Sequence, residues 1–222
     1  MAMDFAVLFD MDGVLFDSEP IHERIFSEYA EELGFAFPPD EYVRLIGTSS
    51  VSQWRLMKER FALPGTPQEL SDAKMERYKA FLRAATGLDP IPGVPELLAG
   101  LRTEDVPFAL ASSNTTDVIE ATLSAIGLTP LFVTYVGGND VTVAKPAPDI
   151  FLLAAQRLGA DPARCVVIED STNGILAARR AGMTPVGFEN PNSPGQDLSG
   201  AALRVSTLAG LTPARLLALL PD

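Results

Sequence analysis

Short apolar runs, each ending at a polar or glycine-bearing turn, recur along this chain and alternate with stretches of helical period. The first run, Phe5-Ala-Val-Leu-Phe9, stops at Asp10. Others are Phe108-Ala-Leu-Ala111, Phe132-Val-Thr-Tyr-Val136, Cys165-Val-Val-Ile168 and Pro185-Val-Gly-Phe188. Runs of this kind suit strands buried on both faces. Between them, Thr116–Ile126, Asp149–Leu158 and Gly174–Ala181 carry helical patterns. Strand–helix alternation at this spacing predicts βαβ units, and so an α/β fold on a doubly wound parallel sheet. A last short strand near Leu203–Val205 and a closing helix around Pro213–Leu220 complete the pattern.

The segment from about Pro20 to Leu88 breaks the rhythm. Its apolar residues recur at helical intervals: Ile21, Ile25, Tyr29 and Leu33, then Trp54, Met57 and Phe61, then Met75, Tyr78, Phe81 and Leu82. Phe37-Pro-Pro39 and Leu63-Pro-Gly-Thr-Pro67 punctuate it. We read residues 18–88 as a helical domain inserted after the first strand, with residues 1–17 and 89–222 forming the α/β core. Trp54, Met57 and Phe61 share a helical face, which favours core packing.

Composition bounds the function. Lys and Arg total 17 against 29 Asp and Glu, a net charge of −12, so sequence-independent nucleic-acid binding and attachment to an anionic membrane are not expected. One cysteine, Cys165, forms no internal disulfide and fits a reducing compartment; one histidine builds no multi-histidine metal site. Inside an apolar run, Cys165 reads as a small buried hydrophobe. The first residues lack a basic stretch followed by a long apolar one, and no run approaches a spanning length, so a cytoplasmic location is expected.

Four polar segments fall at the ends of expected strands. Asp10-Met-Asp12-Gly13 follows the first, where open parallel sheets bind ligands. Two carboxylates there can share a hard cation or divide nucleophilic and acid/base work; an incidental glycine turn is the plainer reading. Ser112-Ser113-Asn114 offers a hydroxyl and backbone N–H groups to phosphate oxygens, or caps the helix that follows. Lys145, the only lysine after Lys79, precedes the turn Pro146-Ala-Pro148 and is either a solvated charge or the partner of an anion. Glu169-Asp170-Ser171 either completes a divalent-cation site or caps a helix beginning near Asn173. A dinucleotide-binding reading fails, because no G-x-G-x-x-G follows the first strand.

In this order, Asp10-Met-Asp12-Gly-Val-Leu, Ser112-Ser113-Asn114, Lys145-Pro and Glu169-Asp170-Ser171-x-x-Gly174-Ile resemble the four motifs of the haloacid-dehalogenase superfamily. Asp17-Ser18-Glu19-Pro-Ile-His22, Lys145-Pro-Ala-Pro-Asp-Ile-Phe151 and Gly174-Ile-Leu-Ala-Ala178 resemble its branch of small phosphatases and β-phosphoglucomutases. The resemblance implies a Rossmann-like core with a helical cap. It implies that Asp10 attacks phosphorus and becomes an aspartyl-phosphate, while Asp12 protonates the leaving alkoxide and then deprotonates water. Ser112, the Ser113 amide and Lys145 would hold phosphoryl oxygens. Mg²⁺ would be held by Asp10, the Asp12 carbonyl and Asp170, with Glu169 as a ligand or as an orienter of its waters. His22 would couple cap closure to placement of Asp12, or is simply a histidine at a helix start.

In the cap, Arg44-Leu-Ile-Gly47-Thr48-Ser49-Ser50 resembles the loop that reaches over the substrate. Where β-phosphoglucomutases carry an arginine that grips a second phosphate, this chain has Ser50; Lys74 matches a cap lysine of that group. Loss of a bidentate guanidinium favours hydrolysis over phosphoryl return. The expectation is a Mg²⁺-dependent phosphatase acting on a small phosphorylated metabolite, a sugar phosphate, as a monomer or weak homo-oligomer. A β-phosphoglucomutase-like phosphotransferase is the alternative within the fold, and a non-catalytic binding or regulatory protein the alternative of another class.

Overall fold

The structure, a computed structural model, describes residues 5–42, 45 and 48–221. Six parallel strands form one sheet: β1 (Ala6–Phe9), β2 (Phe108–Ala111), β3 (Tyr135–Val136), β4 (Cys165–Glu169), β5 (Thr184–Phe188) and β6 (Leu203–Val205). Their order is β3-β2-β1-β4-β5-β6, the doubly wound α/β arrangement expected from the apolar runs. β1 lies between β2 and β4, with Phe9 opposite Leu110 on one side and Ile168 on the other. The strand order reverses direction at β1, so its carboxyl end opens on the switch-point crevice.

One expected strand is shorter than its apolar run. Of Phe132–Val136, only Tyr135 and Val136 pair, with Leu110 and Ala111. Phe132 turns inward instead and packs edge-to-face on Phe9 and Phe108 at 5.9 and 5.3 Å between ring centroids, while Val133 is 87% exposed. Aromatic packing here outcompetes extension of the ladder.

After β1, the described residues of the inserted segment form the helices α1 (Glu19–Glu32), α2 (Pro39–Tyr42), α3 (Ser50–Phe61) and α4 (Pro67–Ala84). Helix α3 starts where Ser49 accepts the Ser52 N–H. Helix α4 starts at a reciprocal Thr66–Glu69 capping box with Pro67 in its first turn. These helices bury Phe26, Tyr29, Trp54, Met57 and Leu70 together. Trp54 is fully buried and stacks on Phe26 at 4.7 Å, which makes it a core residue of this unit.

The remaining helices are α5 (Val94–Thr103), α6 (Thr116–Ala125), α7 (Asp149–Leu158), α8 (Thr172–Arg180) and α9 (Pro213–Leu217). Ile150, Phe151 and Ala154 of α7 and Ala177 and Ala178 of α8 bury against Ala6 and Leu8 of β1 and Val167 of β4. The chain divides into two compact units, Met1–Asp17 with Thr86–Asp222, and Ser18–Ala85. The second crossing falls at 85/86, slightly before residue 88, because α4 stops at Ala84 and the Leu88 N–H already donates to Ala125 of the α/β unit at 3.1 Å. Among the described residues, no helix is long and apolar enough to cross a membrane.

Candidate active site

Asp10 leaves β1 with its N–H donating to the Ile168 carbonyl at 3.0 Å, so it stays in register with β4 for one residue beyond the strand. Its carboxylate meets Lys145, which arrives from the loop before α7. The ammonium donates to Asp10 Oδ1 at 2.6 Å, to Glu169 Oε1 at 2.8 Å and to the Ala111 carbonyl at 3.1 Å. Three donors and three acceptors fix the ammonium in place. The plainer reading of Lys145 as a solvated charge is therefore replaced by a buried cation shared between two carboxylates, its side chain 6% exposed.

Glu169 and Asp170 stand at the end of β4. Glu169 Oε2 accepts from the Ser171 N–H at 2.8 Å and its hydroxyl at 2.9 Å, and Ser171 Oγ accepts the Gly174 N–H as the cap of α8. Capping thus falls to Ser171, and the acidic pair is turned toward Asp10. Two glycines make room for that pair. A Cβ on Gly174 would lie 1.8 Å from Glu169 Cδ, and one on Gly13, where φ is +73°, would lie 2.1 Å from Asp170 Oδ2. Asp10, Glu169 and Asp170 each present an oxygen within 4.8 Å of the others.

The segment Ser112-Ser113-Asn114 follows β2. Ser112 is buried; its N–H donates to the Val136 carbonyl at 3.0 Å and its hydroxyl accepts the Asn114 N–H at 3.2 Å. Helix α6 is instead preceded by Thr115, so Ser112 is not its cap. Asp12 joins this segment through Asn114, whose Nδ2 donates to Asp12 Oδ2 at 2.5 Å. The α/β unit thereby gathers Asp10, Asp12, Ser112, Lys145, Glu169 and Asp170 around the carboxyl ends of β1, β2 and β4.

The electrostatics are those of too many buried carboxylates for one cation. The Asp10 carboxyl is raised to about 7, chiefly by burial; the Lys145 charge opposes the rise, and Glu169 and Asp12 add to it. Asp170 is held well above the usual carboxylate range by burial first, then by Glu169, Asp10 and Asp12. Burial works against charge on Lys145, yet Asp10 and Glu169 together hold its ammonium well above the ordinary lysine value. A hard divalent cation among these oxygens would relieve the excess charge, and oxygen donors are what Mg²⁺ prefers. The residues present fit such an ion.

The inserted unit places its own expected residues separately. His22 Nδ1 lies 2.9 Å from Lys74 Nζ, and its ring lies against Tyr78 at 4.0 Å between centroids. Burial, and then the Lys74 charge, hold the imidazole well below its usual value, so it is neutral. Ser50 Oγ accepts from Ser71 Oγ at 2.8 Å. Gly47 lies outside the described residues. Sequence reasoning gave no role to Asn190, which is buried and donates to the Gly13 carbonyl at 3.2 Å. Its setting in Glu189-Asn-Pro-Asn has the composition of a loop, and nothing in that composition distinguishes a buried asparagine from an exposed one.

Residues 6–182 match the haloacid dehalogenase-like hydrolase family. The chain is 34% identical over 212 residues to a probable pseudouridine-5'-phosphatase of Drosophila melanogaster, covering 93% of this chain and 90% of that one. It is 33% identical over 212 residues to β-phosphoglucomutase of Bacillus subtilis, covering 93% and 91%. Among solved structures it resembles a variant of CbbY from Rhodobacter sphaeroides in complex with xylulose-(1,5)bisphosphate. The TM-score is 0.83 at 28% identity, covering 96% of this chain and 99% of the other. The chain belongs to the haloacid dehalogenase-like hydrolases, as a phosphoric monoester hydrolase among them.

Proposed function

We propose that this protein is a Mg²⁺-dependent phosphatase of a small sugar phosphate, working through an aspartyl-phosphate on Asp10. The observation that carries this reading is the buried contact of Lys145 with both Asp10 and Glu169 at the switch point of the sheet. A nucleophile for a phosphate ester needs a cation beside it, since anion meets anion, and a lysine held protonated by two carboxylates supplies one.

In the first step an Asp10 oxygen forms a bond to phosphorus as the bond from phosphorus to the substrate alkoxide breaks, and the Asp12 carboxyl gives its proton to that alkoxide. In the second, Asp12 takes a proton from water, the water oxygen bonds to phosphorus, and the acyl-phosphate bond breaks to return the Asp10 carboxylate and free phosphate. Ser112 Oγ, the Ser113 N–H and Lys145 hold the equatorial oxygens. Asp10, Asp170 and the Asp12 carbonyl would hold Mg²⁺, which when bound neutralises charge between the carboxylate and the phosphate. Glu169, whose two oxygens already accept from Lys145 and Ser171, completes the acidic wall and holds Lys145.

The inserted unit, with His22, Gly47, Ser50 and Lys74, selects the substrate. Ser50, paired with Ser71, supplies no guanidinium for a second phosphate, which supports hydrolysis over the phosphotransferase alternative. The sugar-phosphate class draws on the ligand of the CbbY structure and on the mutase relative. A cytoplasmic setting suits the single buried, reduced Cys165.

The test is phosphate release from a panel of phosphomonoesters with Mg²⁺, including β-glucose 1-phosphate, while glucose 6-phosphate is followed. Free phosphate stoichiometric with substrate loss supports the phosphatase. Glucose 6-phosphate without free phosphate would make the protein a mutase.

A further inference from the structure

We propose that Asn114 is a positioning residue for proton transfer: its amide orients the Asp12 carboxyl, and the Gly137-Gly138 turn orients Asn114. The inference rests on the phosphatase reading and deepens it. Asn114 Nδ2 donates to Asp12 Oδ2 at 2.5 Å, linking positions 102 residues apart in the chain. Asn114 is itself held at both backbone ends. Its N–H donates to Ser112 Oγ at 3.2 Å, and its carbonyl accepts the Gly138 N–H at 2.7 Å.

The glycine pair is what lets that last bond form. A Cβ on Gly138 would lie 2.3 Å from the Ser113 carbonyl oxygen, and one on Gly137 would lie 3.0 Å from that of Asn114. The turn is anchored in its own right: Gly137 N–H donates to Asp140 Oδ2 at 3.1 Å, Arg157 donates to the same oxygen at 3.1 Å, and Asn139 Oδ1 accepts the Thr116 N–H at 2.9 Å. A chain of fixed contacts therefore runs from the end of β3 to the Asp12 carboxyl.

A carboxyl that must give a proton in one step and take one in the next works only if its plane and its reacting oxygen are set beforehand. A donor on Oδ2 sets both. It fixes rotation about Cβ–Cγ, and it leaves Oδ1 as the oxygen that carries the transferable proton. Asp12 proton transfer matters most when the leaving oxygen is a poor one. An alkoxide departs only as the proton arrives, whereas p-nitrophenolate departs without help.

The experiment compares wild type with Asn114→Ala and Asn114→Leu. The second keeps about the volume and shape of asparagine and removes the donor without adding charge beside Asp12. For each, kcat/KM is measured over aryl and alkyl phosphates graded by leaving-group pKa, since that ratio reports the steps up to departure of the leaving group. The expected result is a steeper dependence on leaving-group pKa in both variants. Alkyl phosphates should lose about 100-fold and p-nitrophenyl phosphate less than about tenfold. A burst of p-nitrophenolate should also appear, as hydrolysis of the phosphoenzyme becomes slow. Should Asn114→Ala not fold, Asn114→Leu decides. Variants that keep the wild-type slope, with all substrates slowed alike, overturn this inference alone. A wild type that releases no phosphate from any ester overturns the phosphatase reading, and this inference with it.

Discussion

Lys145 Nζ donates to Asp10 Oδ1 at 2.6 Å, so the carboxylate read as the nucleophile carries its own buried counter-ion. The same ammonium serves Glu169, whose side chain is 1% exposed. Removing a buried cation from two carboxylates leaves uncompensated charge, a defect that costs about 3–5 kcal/mol. Lys145→Met should therefore lower stability by that order in metal-free buffer, read by urea denaturation. It should also lower kcat by about 10²–10³-fold, as loss of a donor to transition-state charge does.

Gly174→Ala should act through Glu169 and not through the helix. Alanine is the better helix former, yet its Cβ would fall 1.8 Å from Glu169 Cδ, so Glu169 must leave its contacts with Ser171 and Lys145. The Mg²⁺ concentration giving half-maximal activity should rise about 10–100-fold, as happens when groups supporting a metal site are displaced. Isothermal titration with Mg²⁺ should show the same weakening. An unchanged affinity would mean that Glu169 has no part in shaping the site.

The contact of Lys145 with Asp10 and the room that Gly174 leaves for Glu169 show what the sequence could and could not convey. The apolar runs announced the parallel sheet, because strands buried on both faces are apolar along their length and here alternate with helical patterns. The positions of Asp10 and Glu169 at strand ends were legible from the same runs, whereas Lys145 sits in the loop before α7, beyond the end of β3 at Val136. What stayed hidden were relations between distant segments. The Ser112-Ser113-Asn114 motif was visible as a string, but that Asn114 holds Asp12 depends on β3 and its glycine turn arriving alongside. Phe132 shows the same limit from the other side. Its run reads as strand throughout, and only the rings of Phe9 and Phe108 account for Phe132 lying outside the ladder that Tyr135 and Val136 join.

His22 should give stability a recognisable pH dependence. Its folded pKa is depressed, so the native state binds fewer protons than the unfolded chain between the folded value and the unperturbed 6.5. Stability is therefore complete above about pH 6.5 and declines as pH falls, by at most about 1.4 kcal/mol per pH unit. Asp10, with its raised pKa, contributes with the opposite sign, so the useful quantity is a difference. Wild type minus His22→Gln, measured by denaturant unfolding from pH 5 to 8, should be flat above about pH 6.5 and slope below it. A difference that stays flat throughout would show that His22 titrates as it does in the unfolded chain.

The most direct test of the central claim is to look for phosphate on Asp10. Wild-type protein mixed with Mg²⁺ and a phosphate-labelled substrate that it turns over is quenched in acid within milliseconds, and the peptide containing Asp10 is analysed by mass. The phosphatase mechanism predicts an acid-stable, base-labile phosphoryl group on Asp10 that forms before free phosphate appears, and that is absent, together with turnover, in Asp10→Asn. Turnover that proceeds in Asp10→Asn would contradict it, because the covalent step has no other oxygen to use.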